Sequence, residues 1–236
     1  ITQFSIDSYP EEHDKIRKIP GLFQKTMESF KIVKDKGIKV IPSIALTCTQ
    51  ENFKKINEIY EFMKNKHNVK RFSAILVRDE GVYKTPEPLK KELLQSYKAL
   101  IERLYKDRNS GELLNFYKKN SFMSRVINEK EKIQHENNIQ SYIEPKFISY
   151  CPSASIFGVI DYDGTVHPCE LLDKPLGKLS DFDFNFLNLW KSKQTKKVKK
   201  WIKDTKCNCT YECAMTYNVM SNYKYQPRLI KKGLGL

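Results

Sequence analysis

In the first half of the chain, one hydrophobic pattern recurs: a short apolar or alternating run, then a longer segment with apolar residues at helical spacing. Thr2 to Asp7 alternates and predicts a strand, broken at Ser8-Tyr9-Pro10. Phe23, Met27, Phe30 and Val33 predict a helix with one apolar face. Gly37, after Lys34-Asp35-Lys36, suits a left-handed C-terminal cap. Ile38 to Leu46 is nearly continuously apolar, the pattern of a strand buried on both faces. Thr49 is placed to cap the next helix, with Phe53, Ile56, Tyr60 and Met63 as its buried stripe. Phe72 to Val77 is a third strand. Pro86 and Pro88 introduce a long helix carrying Leu89, Leu93, Tyr97, Leu100 and Leu104. Alternation with crossovers of this length predicts parallel strands with helices packed outside.

The pattern weakens after residue 107. Leu113, Leu114, Tyr117, Met123, Val126 and Ile127 suggest more helix. Residues 128–142 (NEKEKIQHENNIQSY) are polar and read as an exposed helix end or linker, with His135 on the surface. Further on, Ile156 to Ile160 is apolar, Asp161-Tyr162-Asp163-Gly164 is a turn, and Thr165 to His167 returns. That is a hairpin. AMTYNVMSN, after Cys213, reads as a short final helix.

The cysteines change the picture. Five of the six lie between Cys151 and Cys213. Cys151 and Cys169 stand just outside the ends of the hairpin, which brings them toward one point. Cys207, Cys209 and Cys213 follow in CNCTYEC. Such a set can supply four thiolates to one metal centre, either zinc or an iron–sulfur cluster. Spacing alone does not choose between them, and neither group has the C-x-x-C spacing of a zinc knuckle. Cysteines serving as metal ligands fit a reducing, cytoplasmic setting. No secretory signal opens the chain, and no apolar run approaches a membrane span.

The chain has 236 residues and a net charge of +14. That charge raises the possibility of a nucleic-acid partner. The excess is nearly all Lys, scattered over helical faces, and Arg, the better base and phosphate reader, is scarce. The densest basic run, KSKQTKKVKKWIKDTK from Lys191, places Val198, Trp201 and Ile202 close together on one helical face. It reads as a solvated amphipathic helix packed on the cysteine domain. The competing function is a zinc-stabilised basic module that binds nucleic acid.

Two stretches carry a family resemblance. CPSASIFGVIDYDGTVHPC, with Gly164 five residues before Cys169, and LGKLSDFDFNFLNLW leading to CNCTYEC resemble the SPASM/twitch domain of radical S-adenosylmethionine (SAM) enzymes. The last cysteine group is too short for the two clusters of a full SPASM domain and is closer to the single-cluster twitch form. Ser5, Asp7, His13-Asp14, Arg17, Gly21-Leu22-Phe23, Gly37-Ile38-Lys39-Val40 and Asn52 resemble, in order, a series running from the fourth barrel strand of that family.

The resemblance implies an α/β chain: the C-terminal half of a radical SAM partial (β/α)6 barrel over 1–110, a helical bridge over 111–148, and a small α+β twitch/SPASM domain with a β-hairpin over 149–236. It implies an auxiliary 4Fe–4S cluster held by Cys151, Cys169, Cys213 and one of Cys207 and Cys209. It places SAM against Ser5, Asp7, Arg17, Ile75 and Val77, with Glu170 a candidate base. The partners it implies are SAM, a peptide or small-molecule substrate, and a reductant such as flavodoxin or ferredoxin. The family's C-x-x-x-C-x-x-C segment, which holds the SAM-cleaving cluster, is not in this sequence. The expectation is therefore an N-terminally truncated enzyme that does not cleave SAM alone.

Overall fold

The computed structural model describes residues 2–36, 40–78, 84–115 and 117–236. The chain forms two compact units, Ile1–His135 with Lys232–Leu236, and Glu136–Lys231. Among the described residues no helix is long and apolar enough to cross a membrane.

The first unit is built on a parallel sheet of β1 (Thr2–Ser5), β2 (Pro42–Cys48) and β3 (Phe72–Leu76), in that order. Between and after the strands come α1 (Pro10–Arg17), α2 (Leu22–Asp35), α3 (Ile56–Lys66) and α4 (Glu87–Ser110). This is the expected alternation, and its cause is visible in the side chains. Phe4 meets Phe30 of α2 edge-on, and Phe72 meets Tyr60 of α3 in the same way. Ile44, Leu46, Ala74 and Leu76, on the same face as Phe4 and Phe72, are almost wholly buried. The opposite face is smaller and more polar: Gln3, Ser5, Ser43, Ala45, Thr47, Ser73 and Ile75. Gln3 Nε2 donates to Ser73 Oγ across it at 2.9 Å. The run expected to be buried on both faces is so over Ser43–Leu46, with Ile44 and Leu46 on the aliphatic face and Ser43 and Ala45 on the face of small side chains.

Three local expectations change. The proposed cap at Gly37 lies outside the described residues. Thr49 does not cap α3. Its N–H donates to Asn52 Oδ1 and its hydroxyl accepts from the Glu51 N–H, closing a turn that precedes the helix. Val33 and Leu89 lie at the margins of their stripes and are only half-buried.

The largest correction concerns residues 128–142. They are neither linker nor exposed helix end. They belong to α5 (Phe122–Ile143), and Glu129, Lys130, Gln134, His135, Asn137 and Asn138 are all buried. Leu114 and Tyr117, expected to extend the helix, precede it and are exposed. The physical reason is that this helix buries polar groups in pairs rather than an apolar stripe. Tyr97 Oη lies 2.7 Å from His135 Nδ1, and Arg108 pairs with Glu131. Asn137 donates to Tyr225 Oη at 2.9 Å. Hydrophobic periodicity cannot report such a surface.

The second unit is built around a small antiparallel sheet: β4 (Val159–Ile160), β5 (Thr165–His167) and β6 (Gly177–Lys178). The hairpin is as expected, with shorter strands. Val159 faces His167 and Ile160 faces Val166. Gly164 closes the turn at φ +83°, a left-handed conformation that favours glycine. Asp163 accepts from the Thr165 N–H at 3.0 Å. That bond, with others from the Thr165 hydroxyl and Lys178, holds its carboxyl down at about 2. The chain continues through α6 (Phe186–Trp190), α7 (Lys193–Asp204), α8 (Glu212–Ser221) and α9 (Gln226–Leu234). The basic run is the amphipathic helix expected. Ser192 caps α7, accepting from the Thr195 N–H, and Thr195, Val198 and Ile202 form its buried face. The helix after Cys213 is present as α8, but it is not the last.

Candidate functional site: a buried group of thiols

Cys151, Ala154, Val166, Leu176, Leu189, Val198 and Ile202 form one buried cluster, and Cys207 packs against it. The hairpin supplies Val166. Cys151 enters on the segment before β4, and Cys169 leaves on the segment after β5. A specific bond holds the two segments together. The Ser153 hydroxyl, itself buried, donates to the Pro168 carbonyl at 2.6 Å. Ser153 is two residues after Cys151, and Pro168 immediately precedes Cys169. The Ala154 N–H donates to Phe157 O at 2.9 Å, closing the turn beside Cys151. Cys207 is fixed by its N–H, which donates to Ile202 O at 3.1 Å just after α7.

The thiols sense one another. Burial pushes the Cys151 thiol up to about 12, and Cys207, Cys209 and Cys169 add to that shift. Cys207 is raised by burial and then by Cys169. Cys151 thus feels Cys207, Cys209 and Cys169, whereas Cys213, grouped with them in the sequence reading, is not among the groups that shift it. None of the six cysteines is joined in a disulfide. Cys48, 0% exposed at the end of β2 and pushed up to about 12 by burial alone, is the isolated core residue expected.

Cys213 is exposed in the first turn of α8. It connects to the group through a residue the sequence reading passed over. The Tyr211 hydroxyl hydrogen-bonds with the Glu170 carboxylate and with Cys213, and burial and these bonds raise its pKa. Glu170 directly follows Cys169, so Tyr211 ties one end of the hairpin to α8. A Tyr between Cys209 and Cys213 was the only available signal.

Among the described residues no three His, Cys, Asp or Glu side chains are already arranged to hold a metal ion. The donor chemistry nonetheless suits a thiolate-ligated group. The neighbours are all sulfur, and the nearest hairpin imidazole, His167, faces Asp161 at 3.3 Å. Burial and neighbouring thiols raise Cys151 and Cys207, and a cationic centre bound in place of their protons would relieve that penalty.

In the first unit, Asp7 is central. Its Oδ2 accepts from Arg17 Nε at 2.6 Å and its Oδ1 from the Thr47 N–H at 3.2 Å. Its own N–H donates to His13 Nδ1 at 3.1 Å. Asn52 Nδ2 donates to the carbonyls of both Asp7 and Thr47 at 2.8 Å. Asp7, His13 and Asn52 are buried, so this network fixes the backbone just beyond β1 and β2. Asp14 accepts from the N–H groups of Gly21 and Phe23 and caps α2. Ser5 is exposed at the end of β1, on the sheet face that also carries Thr47 and Ile75. Val77 lies just past β3 and is buried, its N–H donating to Cys48 O.

Residues 151–214 match the SPASM family, an iron–sulfur cluster-binding domain. Comparison with curated protein sequences returns no match. Among solved structures, the chain is similar to two of anSMEcpe, an anaerobic sulfatase-maturating radical SAM enzyme. One is a polyhistidine-tagged form with bound AdoMet: TM-score 0.56, 18% identity, covering 99% of this chain and 66% of that one. The other is the native protein with bound AdoMet and the Cp18Cys peptide: TM-score 0.53, 17% identity, covering 99% of this chain and 70% of that one. None of these matches supports the zinc-stabilised nucleic-acid-binding alternative. Residues 151–214 thus match an iron–sulfur cluster-binding domain, and the chain shares a mixed α/β fold with these solved structures.

Proposed function

We propose that this chain is part of a radical SAM enzyme that modifies a peptide or small-molecule substrate, with an auxiliary 4Fe–4S cluster in its SPASM domain. The observation that carries this reading is that Cys151 and Cys207 pack on one buried cluster inside the matched residues, with the Cys151 thiol pushed up by burial and then by Cys207, Cys209 and Cys169. Cys151, Cys169 and Cys213 are ligands in this reading, with Cys209 the fourth and Cys207 spare. When bound, an iron–sulfur cluster would supply the one-electron chemistry that such an enzyme performs on SAM, while this chain's residues would position SAM and substrate.

The roles of this chain's residues follow from position. The three parallel strands are half of a partial barrel, and such barrels work at the C-terminal strand ends. Ser5 and Arg17 stand at or after such an end and face the ribose or carboxylate of SAM. Asp7 orients the Arg17 guanidinium through the Nε bond, leaving its terminal nitrogens for a carboxylate. Ile75 and Val77 offer apolar contact to the adenine. Glu170 serves as proton acceptor, positioned by Tyr211. One structural neighbour holds a peptide as well as AdoMet, which favours the peptide among the substrate classes.

The test is iron and acid-labile sulfide analysis of anaerobically purified protein. The expected result is both in equal amounts, about four per chain for one such cluster. Zinc without sulfide would overturn the reading.

A further inference from the structure

We propose that the solvent face of α7 is the docking surface for an acidic one-electron carrier protein. The inference rests on the iron–sulfur reading of the thiol group above. Between Lys191 and Lys206 the only acidic residue is Asp204, which pairs with Lys200. Lys193, Lys196, Lys197 and Lys203 are exposed beside that pair. The charge is therefore displayed, not neutralised.

The reverse side of the same helix gives the patch its meaning. Val198 and Ile202 belong to the buried cluster that contains Cys151, and Cys207 packs against that cluster. The lysines and the thiols thus lie on opposite sides of one helix, whose thickness is roughly 10 Å. A carrier docked here exchanges one electron over a short distance, one partner oxidised as the other is reduced, with no bond made.

The chemistry favours a protein over other polyanions. The run contains no Arg, the residue that reads phosphate and base edges in two-pronged fashion. Trp201, 36% exposed in the middle of the patch, has Lys174 Nζ 4.4 Å from its ring centroid. That face is taken and is no platform for base stacking. The helix's apolar face is spent on the thiol core, which leaves none to enter a lipid surface. Displayed lysines around a half-buried Trp form the complement of an acidic protein surface, where charge steers the encounter.

The experiment uses the full chain, reconstituted anaerobically, with an acidic flavodoxin as probe. Binding is followed by fluorescence anisotropy at low and high salt. Lys196→Glu/Lys197→Glu/Lys203→Glu should weaken binding about tenfold or more, with iron per chain and thermal melting unchanged. A control at α2, Lys31→Glu/Lys36→Glu, should bind as the parent does. Unchanged affinity in the α7 variant would overturn the proposal, as would equal weakening by the α2 control. A mixed-sequence single-stranded oligonucleotide that displaces flavodoxin at lower concentration would also overturn it. A chain that holds no iron yet binds flavodoxin through these lysines would sink the iron–sulfur reading and leave the docking surface standing.

Discussion

The Tyr97 hydroxyl lies 2.7 Å from His135 Nδ1, in a buried contact between α4 and α5. Burial drives His135 down to about 4 from 6.5, so the ring is neutral near pH 7. Around it, Glu131 pulls the value up while Arg108 and Lys130 push it down. An unfolded chain takes a proton at this ring as pH falls through about 6.5, whereas the folded chain resists until about 4. Stability is therefore full above the unfolded value and declines between the two, by roughly 3 kcal/mol at most. Burial also lowers His13 and His67, so they act in the same direction. Unfolding free energy measured from pH 7.5 to 4 should fall less steeply in His135→Gln than in the parent. An identical slope would refute the buried, neutral ring.

The same contact predicts a cost for Tyr97→Phe. The ring nitrogen loses its buried partner while the volume is kept. A loss of roughly 1–3 kcal/mol follows from leaving such a group unpaired. Chemical denaturation at pH 7.5 checks it, and no change would argue that water or another group already serves His135.

His135 also marks the limit of what was legible in the sequence. The strands and apolar-faced helices of the first unit were readable, because Phe4, Phe30, Tyr60 and Phe72 recur at the periods their elements require. The hairpin was readable from Asp163-Gly164, where the turn needs a left-handed residue. The burial of α5 was not. Its interior face is Asn, Gln, His, Glu and Lys, satisfied by partners far away in sequence such as Tyr97 and Tyr225. In the thiol group, the spacing around the hairpin gave Cys151 and Cys169, whereas Tyr211 acts through hydrogen bonds that no spacing encodes.

Asp7 and Arg17 should separate in their effects on stability. Asp7→Ala removes the acceptor of the half-buried Thr47 N–H and frees Arg17, so a loss of roughly 2–4 kcal/mol is expected. Arg17 is 39% exposed in its side chain, and Arg17→Ala should cost about 1 kcal/mol or less. Equal losses would show that the pair, not the Asp7 network, holds this corner. Thermal melting of the two variants decides.

Ser153→Ala removes the bond that ties the Cys151 segment to the Pro168 carbonyl. Both groups are buried, so about 1–2 kcal/mol of stability should go with it. Because the bond sets the approach of Cys151 to Cys169, iron should also be lost faster to a chelator. Ser153→Thr, which keeps the hydroxyl, should restore part of both. Parent-like chelation kinetics in Ser153→Ala would mean that the apolar cluster alone aligns the two cysteines.

The ligand set itself predicts an asymmetric series of cysteine replacements. Cys151 and Cys169 are brought together by the hairpin and by Ser153. Cys213 lies exposed in the first turn of α8. Cys207 and Cys209 are two residues apart and both half-buried. Cys207 packs against the apolar cluster behind α7, with burial the first cause of its raised pKa. That is the position of a packed thiol. Replacing each of the five by Ala and measuring iron per folded chain should therefore give four losses, at Cys151, Cys169, Cys209 and Cys213, and one tolerated change at Cys207. Iron loss at Cys207 with retention at Cys209 would exchange those two roles and keep the site. Full iron in Cys151→Ala or Cys169→Ala would remove the hairpin from the site, and the auxiliary-cluster reading with it.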